Sequence, residues 1–206
     1  FYLGYSVGNF KIGYLYVIAV VVLYVYAAYL KKIPLAGNFA IAALMSFPIV
    51  LLMLFEATFL NTISFDDSGY VFNMLLWQVK FYGGFIFLIV MAIEIVKDLV
   101  NKDGDEATKV NTLVVQFGEI AGKIAATLTL LILAAALAYF MQLFYAENAT
   151  KEFVYLLLAV VLPVVGVIAL LFLAKGKMQY KRINMFLKII MVLGILSLPA
   201  FYLFNK

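Results

Sequence analysis

The densest group of oxygen-bearing side chains in this 206-residue sequence lies in one polar stretch between two long apolar runs. Five carboxylates and one amide stand there, and the candidate ligands among them are Glu94, Asp98, Asn101, Asp103 and Asp105. If a helix continues through the stretch, Asp98, Asn101 and Asp105 fall at i, i+3 and i+7 and share one face. Glu94 lies one turn earlier on the same face. Clustered hard oxygen ligands suit Mg²⁺, which prefers one or two carboxylates completed by waters and substrate phosphates.

An acidic stretch between apolar runs is most often an ordinary solvated connection, and the residues alone leave that interpretation open. Two features favour a metal site instead. Glu94 and Asp98 lie at or inside the end of an apolar run, where carboxylates are costly and usually functional. The helical spacing also aligns the oxygens instead of scattering them. Asp103 would point away from the aligned face unless Gly104 ended the helix and turned the chain.

A second polar segment contains the adjacent lysines Lys31 and Lys32. A lysine ammonium is a compact cation that can meet a diphosphate group. Two lysines after an apolar run are equally expected of a simple topology anchor at the membrane surface. The residues themselves do not decide between these two roles.

The composition excludes several kinds of chemistry. The chain contains no cysteine and no histidine, so thiol nucleophiles, serine–histidine triads, histidine proton shuttles and Cys- or His-ligated metals are excluded. Apolar residues make up 67% of the sequence and charged residues 13%, far from the balance of a soluble domain. A net charge of +4 on so apolar a chain also argues against nucleic-acid binding. Catalysis would have to use carboxylates, lysines, tyrosines, amides and a bound metal.

The elements that would position these residues are membrane-spanning helices, because a span needs about 20 mostly apolar residues. The sequence predicts an all-α, polytopic helical bundle of about six spans. They run approximately over 13–30, 39–60, 75–96, 120–145, 153–174 and 185–204. Pro48, Pro163 and Pro199 fall inside these runs, and membrane helices tolerate such kinks.

The lysines and the arginine of the connections predict how the bundle is oriented. Alternate connections hold Lys31, Lys32, Lys97, Lys102, Lys109, Lys175, Lys177, Lys181 and Arg182. By the positive-inside rule these connections, and the acidic stretch with them, face the cytoplasm. We expect a multi-pass protein of the cytoplasmic (inner) membrane. The basic stretch 175–182 is interpreted mainly as topology, with anionic lipid as the alternative partner.

Two motifs together resemble the UbiA-type intramembrane prenyltransferases. The first is Tyr26-Ala-Ala-Tyr-Leu-Lys31-Lys32-Ile-Pro-Leu-Ala-Gly37-Asn38. The second is Glu94-Ile-Val-Lys97-Asp98 through Asp105, followed by Asn111-Thr-Leu-Val-Val-Gln-Phe-Gly118. The resemblance covers most of the chain. It is nearest to bacterial members similar to geranylgeranylglycerol-phosphate geranylgeranyltransferase.

The resemblance implies a bundle of about nine spans around a cavity in which Asp-rich motifs hold Mg²⁺ on an allylic diphosphate. The family's metal ligands would be Glu94, Asp98, Asn101, Asp103 and Asp105. Residues implied to contact substrate are Tyr26, Lys31, Lys32, Asn38 and Lys97, with Asp98, Asp105 and Lys31 as the catalytic set. The implied partners are a polyprenyl diphosphate donor, a hydrophobic acceptor of the lipid or quinone type, and membrane lipid.

The sequence departs from the family pattern in three places. Asn101 stands where the family has its middle aspartate, and Val114 stands where it has a proline. The family's first motif, Asn-Asp-x-x-Asp, is absent, so we expect residues 1–206 to be one transmembrane domain lacking its N-terminal spans. Two alternatives remain: a non-catalytic membrane scaffold descended from the family, and a small-molecule transporter. The clustering of the acids at one membrane face argues against the transporter, which would carry them near the midplane.

Overall fold

The computed structural model describes Tyr2, Tyr5, residues 11–62 and residues 76–204, with the side chains of Lys11, Ile12, Lys31 and 53–62 outside that description. All regular structure in the described residues is helical, which confirms the predicted all-α fold. Six helices follow one another along this part of the chain. They are α1 (Lys11–Ala28), α2 (Ala36–Thr62), α3 (Leu76–Ala107), α4 (Leu113–Ala146), α5 (Thr150–Leu173) and α6 (Lys177–Phe204).

Four of the described helices, α3 to α6, are long and apolar enough to cross a membrane by length and composition. The described apolar parts of α1 and α2 are shorter, at Gly13–Ala28 and Ala36–Leu52. Large apolar side chains such as Ile124, Phe172 and Val192 are exposed on α4, α5 and α6. A water-soluble protein would bury these surfaces, whereas lipid chains solvate them. The chain is therefore a helical membrane protein.

The central helix of the bundle is α3, which packs against α2, α4 and α6. Apolar residues are buried on several of its faces, as expected for a helix inside a core. They are Phe85, Ile86, Ile89, Val90, Ala92, Ile93, Ile95, Val96 and Leu99. With 32 residues, α3 is about 48 Å long at 1.5 Å per residue, which exceeds the roughly 30 Å of a hydrocarbon core. This length leaves room for its polar C-terminal turns to lie beyond a hydrocarbon core.

The helix packing includes one very close approach. A Cβ on Gly194 of α6 would lie 2.1 Å from the ring of Phe85 on α3. No side chain fits in that space, so the glycine allows α6 to approach α3 closely. One turn further along α6, buried Ser197 lies 3.1 Å from the hydroxyl of Tyr82 on α3. These contacts fix α6 against the central helix.

Of the connections that the structure describes, three lie at one end of the bundle and the one after α4 lies at the other. Those after α1, α3 and α5 share the end that carries Lys32, Lys102 and Lys175, which is named the lysine-rich end below. At this end the Thr112 side chain caps α4 by accepting a hydrogen bond from the Val115 N–H at 3.3 Å. At the other end, Asn148 turns the chain into α5 with φ 57°.

Irregular turns interrupt α3 and α5. A π-helical turn spans Val79–Gly83 in α3, and another spans Leu157–Val161 in α5. The second turn directly precedes Pro163, whose ring would clash with the carbonyl four residues earlier in a regular helix. The helices nevertheless continue through Pro48, Pro163 and Pro199, as the sequence predicted.

Candidate functional site

The two motif segments meet through one hydrogen bond at the lysine-rich end. Asn38 lies in the first turn of α2 and is buried. Its Nδ2 donates to Oδ2 of Asp98 on α3 at 2.9 Å, across 60 positions of sequence. Both groups are polar, and the bond satisfies a partly buried carboxylate. The tertiary structure therefore joins the Gly37–Asn38 segment to the acidic stretch.

The acidic stretch is helical throughout, since α3 continues to Ala107. Asp98, Asn101 and Asp105 consequently share one face, and the carboxylates of Asp105 and Glu94 both act electrostatically on Asp98. Gly104 does not end the helix, so Asp103 lies on a different face and is exposed. Asn101 is exposed as well.

Glu94 and Lys97 form a salt bridge one turn apart on α3. The Lys97 Nζ lies 2.8 Å from Oε2 and 3.1 Å from Oε1 of Glu94. This pairing neutralises one of the carboxylates beside Asp98. Lys97 is thus held beside Asp98 by its own helix, with its side chain half exposed.

The first motif begins at the end of α1, and its Tyr26 lies beside the acidic face of α3. The Tyr26 hydroxyl interacts electrostatically with Glu94, Lys97 and Asp98, which puts the end of α1 beside the acidic face. Lys31 lies in the short 3-10 turn Leu30–Lys32, and its side chain is outside the described part of the structure. Lys32 is exposed in that same turn.

The donor set fits Mg²⁺ by its chemistry. Among the described residues no three His, Cys, Asp or Glu side chains are grouped closely enough to form a complete protein-only metal site. Mg²⁺ does not need one, because it is usually held by one or two carboxylates together with waters and substrate phosphates. Asp98 and Asp105, aligned on a polar helix end, provide such a partial set.

Polar residues outside the predicted site also lie at this end. Glu119 and Lys123 of α4, Lys102 of α3 and Tyr180 of α6 form a linked group beside the acidic stretch. Lys123 was visible in the sequence as a charge inside the predicted fourth span, a feature that usually marks function. Buried Asn184 of α6 was also missed; its Nδ2 donates to the Ile93 carbonyl on α3 at 3.0 Å.

An open apolar cavity of about 480 Å³ lies at the other end of the bundle. It is formed by α5 and the end of α6, and its walls include Val154, Leu158 and Phe204. The site residues on α1, α2 and α3 take no part in it. It is therefore separate from the acidic site.

The fold is that of a helical membrane protein, and an acidic polar cluster that includes lysines lies at one end of its bundle. The UbiA prenyltransferase family matches residues 1–202. The chain belongs to the UbiA prenyltransferase family. No curated protein and no solved structure matches it.

Proposed function

We propose that the chain transfers a polyprenyl group from an allylic diphosphate to a hydrophobic acceptor, with Mg²⁺ as cofactor. Membership of the UbiA prenyltransferase family supports the reaction class. The observation that supports assigning the reaction to particular residues is the 2.9 Å hydrogen bond from Asn38 to Asp98. It joins the lysine-containing motif to the acidic motif, and an Mg²⁺–diphosphate site needs both charges close together.

In this proposal the residues of α3 hold Mg²⁺ and, through it, the diphosphate end of the substrate. Asp98 and Asp105 would be the carboxylate ligands of the metal. Asn38 orients Asp98 by donating a hydrogen bond to its Oδ2. Bound there, Mg²⁺ supplies Lewis-acid stabilisation of the charge that develops on the diphosphate. Lys31 and Lys32 meet the diphosphate as point charges, and Tyr26 lines the same space.

The covalent step then needs no histidine. The bond between the allylic carbon and the diphosphate oxygen breaks, and its electron pair leaves with the diphosphate. The acceptor supplies the electron pair of the new bond to that carbon and loses a proton. Because an allylic cation reacts readily with water, the apolar interior around α3 has the role of excluding water from the reacting carbon.

The proposed orientation of the bundle in the membrane is based on the distribution of its lysines. The lysine-rich end would face the cytoplasm by the positive-inside rule, in the inner membrane of a bacterium. A water-soluble diphosphate headgroup would then enter from the cytoplasm while its prenyl tail stays in lipid. The proposed acceptor is a lipid or an aromatic quinone precursor, and a glycerol-phosphate lipid is the first to try because of the motif resemblance.

The test is diphosphate release from geranylgeranyl diphosphate by the purified full-length protein in detergent, with and without Mg²⁺. The acceptor panel contains a glycerol-phosphate lipid precursor, a naphthoquinone precursor and a hydroxybenzoate. The proposal is supported if diphosphate release requires Mg²⁺ and one acceptor stimulates it. That acceptor then identifies the acceptor class. No release with any acceptor would overturn it and favour the non-catalytic scaffold.

A further inference from the structure

Glu119 of α4 contacts both α3, which carries the acidic stretch, and α6. Its Oε2 accepts a 3.1 Å hydrogen bond from the Tyr180 hydroxyl of α6. Its other oxygen, Oε1, lies 3.9 Å from the Lys102 Nζ of α3. One carboxylate on α4 therefore contacts both α3 and α6 at the lysine-rich end.

A break in α4 places Glu119 where it can make both contacts. Gly118 has φ 85° and ψ 172° inside the helix, a left-handed conformation that favours glycine. The regular part of α4 begins again at Glu119, so its carboxylate lies at the N-terminus of that segment. The helix dipole stabilises a negative charge there.

The hydroxyl of Tyr180 lies within hydrogen-bond distance of two acceptors, the Glu119 carboxylate and the Ala174 carbonyl. Tyr180 is buried, and its oxygen lies 3.4 Å from the Ala174 carbonyl as well as near Glu119. The Lys123 ammonium donates to that same carbonyl and lies 5.6 Å from the centre of the Tyr180 ring. The single hydroxyl proton goes to Glu119, the charged and nearer acceptor, since hydrogen bonds to ionised groups are the stronger ones.

We propose that Tyr180 is a positioning residue: through Glu119 and Lys102 it fixes the direction of the end of α3 that carries Asp98 and Asp105. Lys102 lies between those two aspartates in the same helical segment. A lysine–carboxylate pair this exposed adds little to stability. Losing the pair should therefore leave the bundle folded, and the expected change in the direction of the α3 end is correspondingly small. The inference rests on the proposed function for its link to catalysis.

The activity test compares Tyr180→Phe with Tyr155→Phe. Tyr155 is the matched control because its hydroxyl also joins two helices, donating to the Leu193 carbonyl at 2.9 Å, but at the other end of the bundle. Tyr180→Phe should raise the Mg²⁺ concentration for half-maximal diphosphate release about fivefold, because the effect reaches α3 through an exposed ion pair that contributes about 1 kcal/mol at most. The rate at saturating Mg²⁺ should change little.

Tyr155→Phe should leave the Mg²⁺ requirement unchanged. Glu119→Gln keeps an acceptor for Tyr180 but loses the charge that attracts Lys102, so its Mg²⁺ requirement should lie between those of the parent and Tyr180→Phe. Equal Mg²⁺ requirements in the parent and Tyr180→Phe, with only thermal stability lowered, would show a purely structural role and overturn the proposal.

A second measurement needs no catalysis. The chain has no cysteine, so Ala107→Cys and Met178→Cys, both exposed, would carry the two spin labels. Tyr180→Phe should shift or broaden the distance distribution between the ends of α3 and α6, whereas Tyr155→Phe should not. An unchanged distribution contradicts the inference. If Tyr180→Phe changes the distance distribution but the parent protein releases no diphosphate, the positioning role is supported and the proposed function is contradicted.

Discussion

Asn38 Nδ2 and Asp98 Oδ2 lie 2.9 Å apart, so the first turn of α2 is bonded to the polar end of α3. The bond pairs a buried amide with a partly buried carboxylate that also feels the negative charges of Asp105 and Glu94. A donor in this position stabilises the ionised carboxylate and fixes which oxygen is left for another ligand.

Asn38→Leu should lower kcat/KM for diphosphate release by about tenfold or more, since a hydrogen bond to a charged group is lost and a polar carboxylate is left unsatisfied. The matched control is Ser46→Ala, which removes a hydrogen bond to the Ala43 carbonyl further along α2. Steady-state kinetics should show the loss in the first variant only. Equal activity in both variants would mean that the Asn38 bond has no part in the site.

Asp98→Ala and Asp105→Ala should each abolish Mg²⁺-dependent transfer while membrane insertion stays intact. The reason is that each removes a carboxylate from the face proposed to hold the metal. Glu106→Gln is the control, because Glu106 is exposed in the same segment and forms only a 4.0 Å pair with Lys102. Full activity in both aspartate variants would refute the metal assignment.

Asn101→Asp should lower the Mg²⁺ concentration needed for half-maximal activity. Asn101 is exposed on the same helical face as Asp98 and Asp105, so the new carboxylate adds negative charge where the metal is proposed to bind. Asn148→Asp makes the same chemical change on an exposed residue at the other end of the bundle. A titration with Mg²⁺ that gives the same midpoint for both variants would contradict a metal site near Asn101.

Gly194→Ala should destabilise the bundle by about 1–3 kcal/mol, the usual cost of overpacking a core. The added Cβ would lie 2.1 Å from the Phe85 ring, so α6 must move away from α3. Gly166→Ala is the control because nothing lies within 4 Å of its Cβ position. Thermal unfolding in detergent should show a lower midpoint for the first variant and no loss for the second. No difference between them would mean that α3 and α6 pack less closely than described.

The helices could be predicted from the sequence because apolar runs of span length have few other folds open to them. The shared face of Asp98, Asn101 and Asp105 was also predictable, since helical spacing fixes it once the helix continues. Whether Gly104 would end that helix was not predictable from the residue alone. The structure continues the helix for three more residues, and the Thr108 hydroxyl then donates to the Gly104 carbonyl at 2.9 Å.

The contacts between helices could not be predicted in this way. Tyr180 and Glu119 are 61 positions apart, and their bond depends on how α4 and α6 are rotated about their axes. Composition does not reveal that rotation, nor does it show that α3 is the central helix. Asn38 and Asp98 were associated beforehand only through the family resemblance, and the structure adds the bond between them.

The most direct test of the central claim is transfer of a radiolabelled geranylgeranyl group from its diphosphate to an extract of membrane lipids by the purified full-length protein. The account predicts a labelled lipid product that requires Mg²⁺ and is lost in Asp98→Asn but kept in Glu106→Gln. A product formed equally by Asp98→Asn, or no labelled product from the parent chain at any Mg²⁺ concentration, would contradict it.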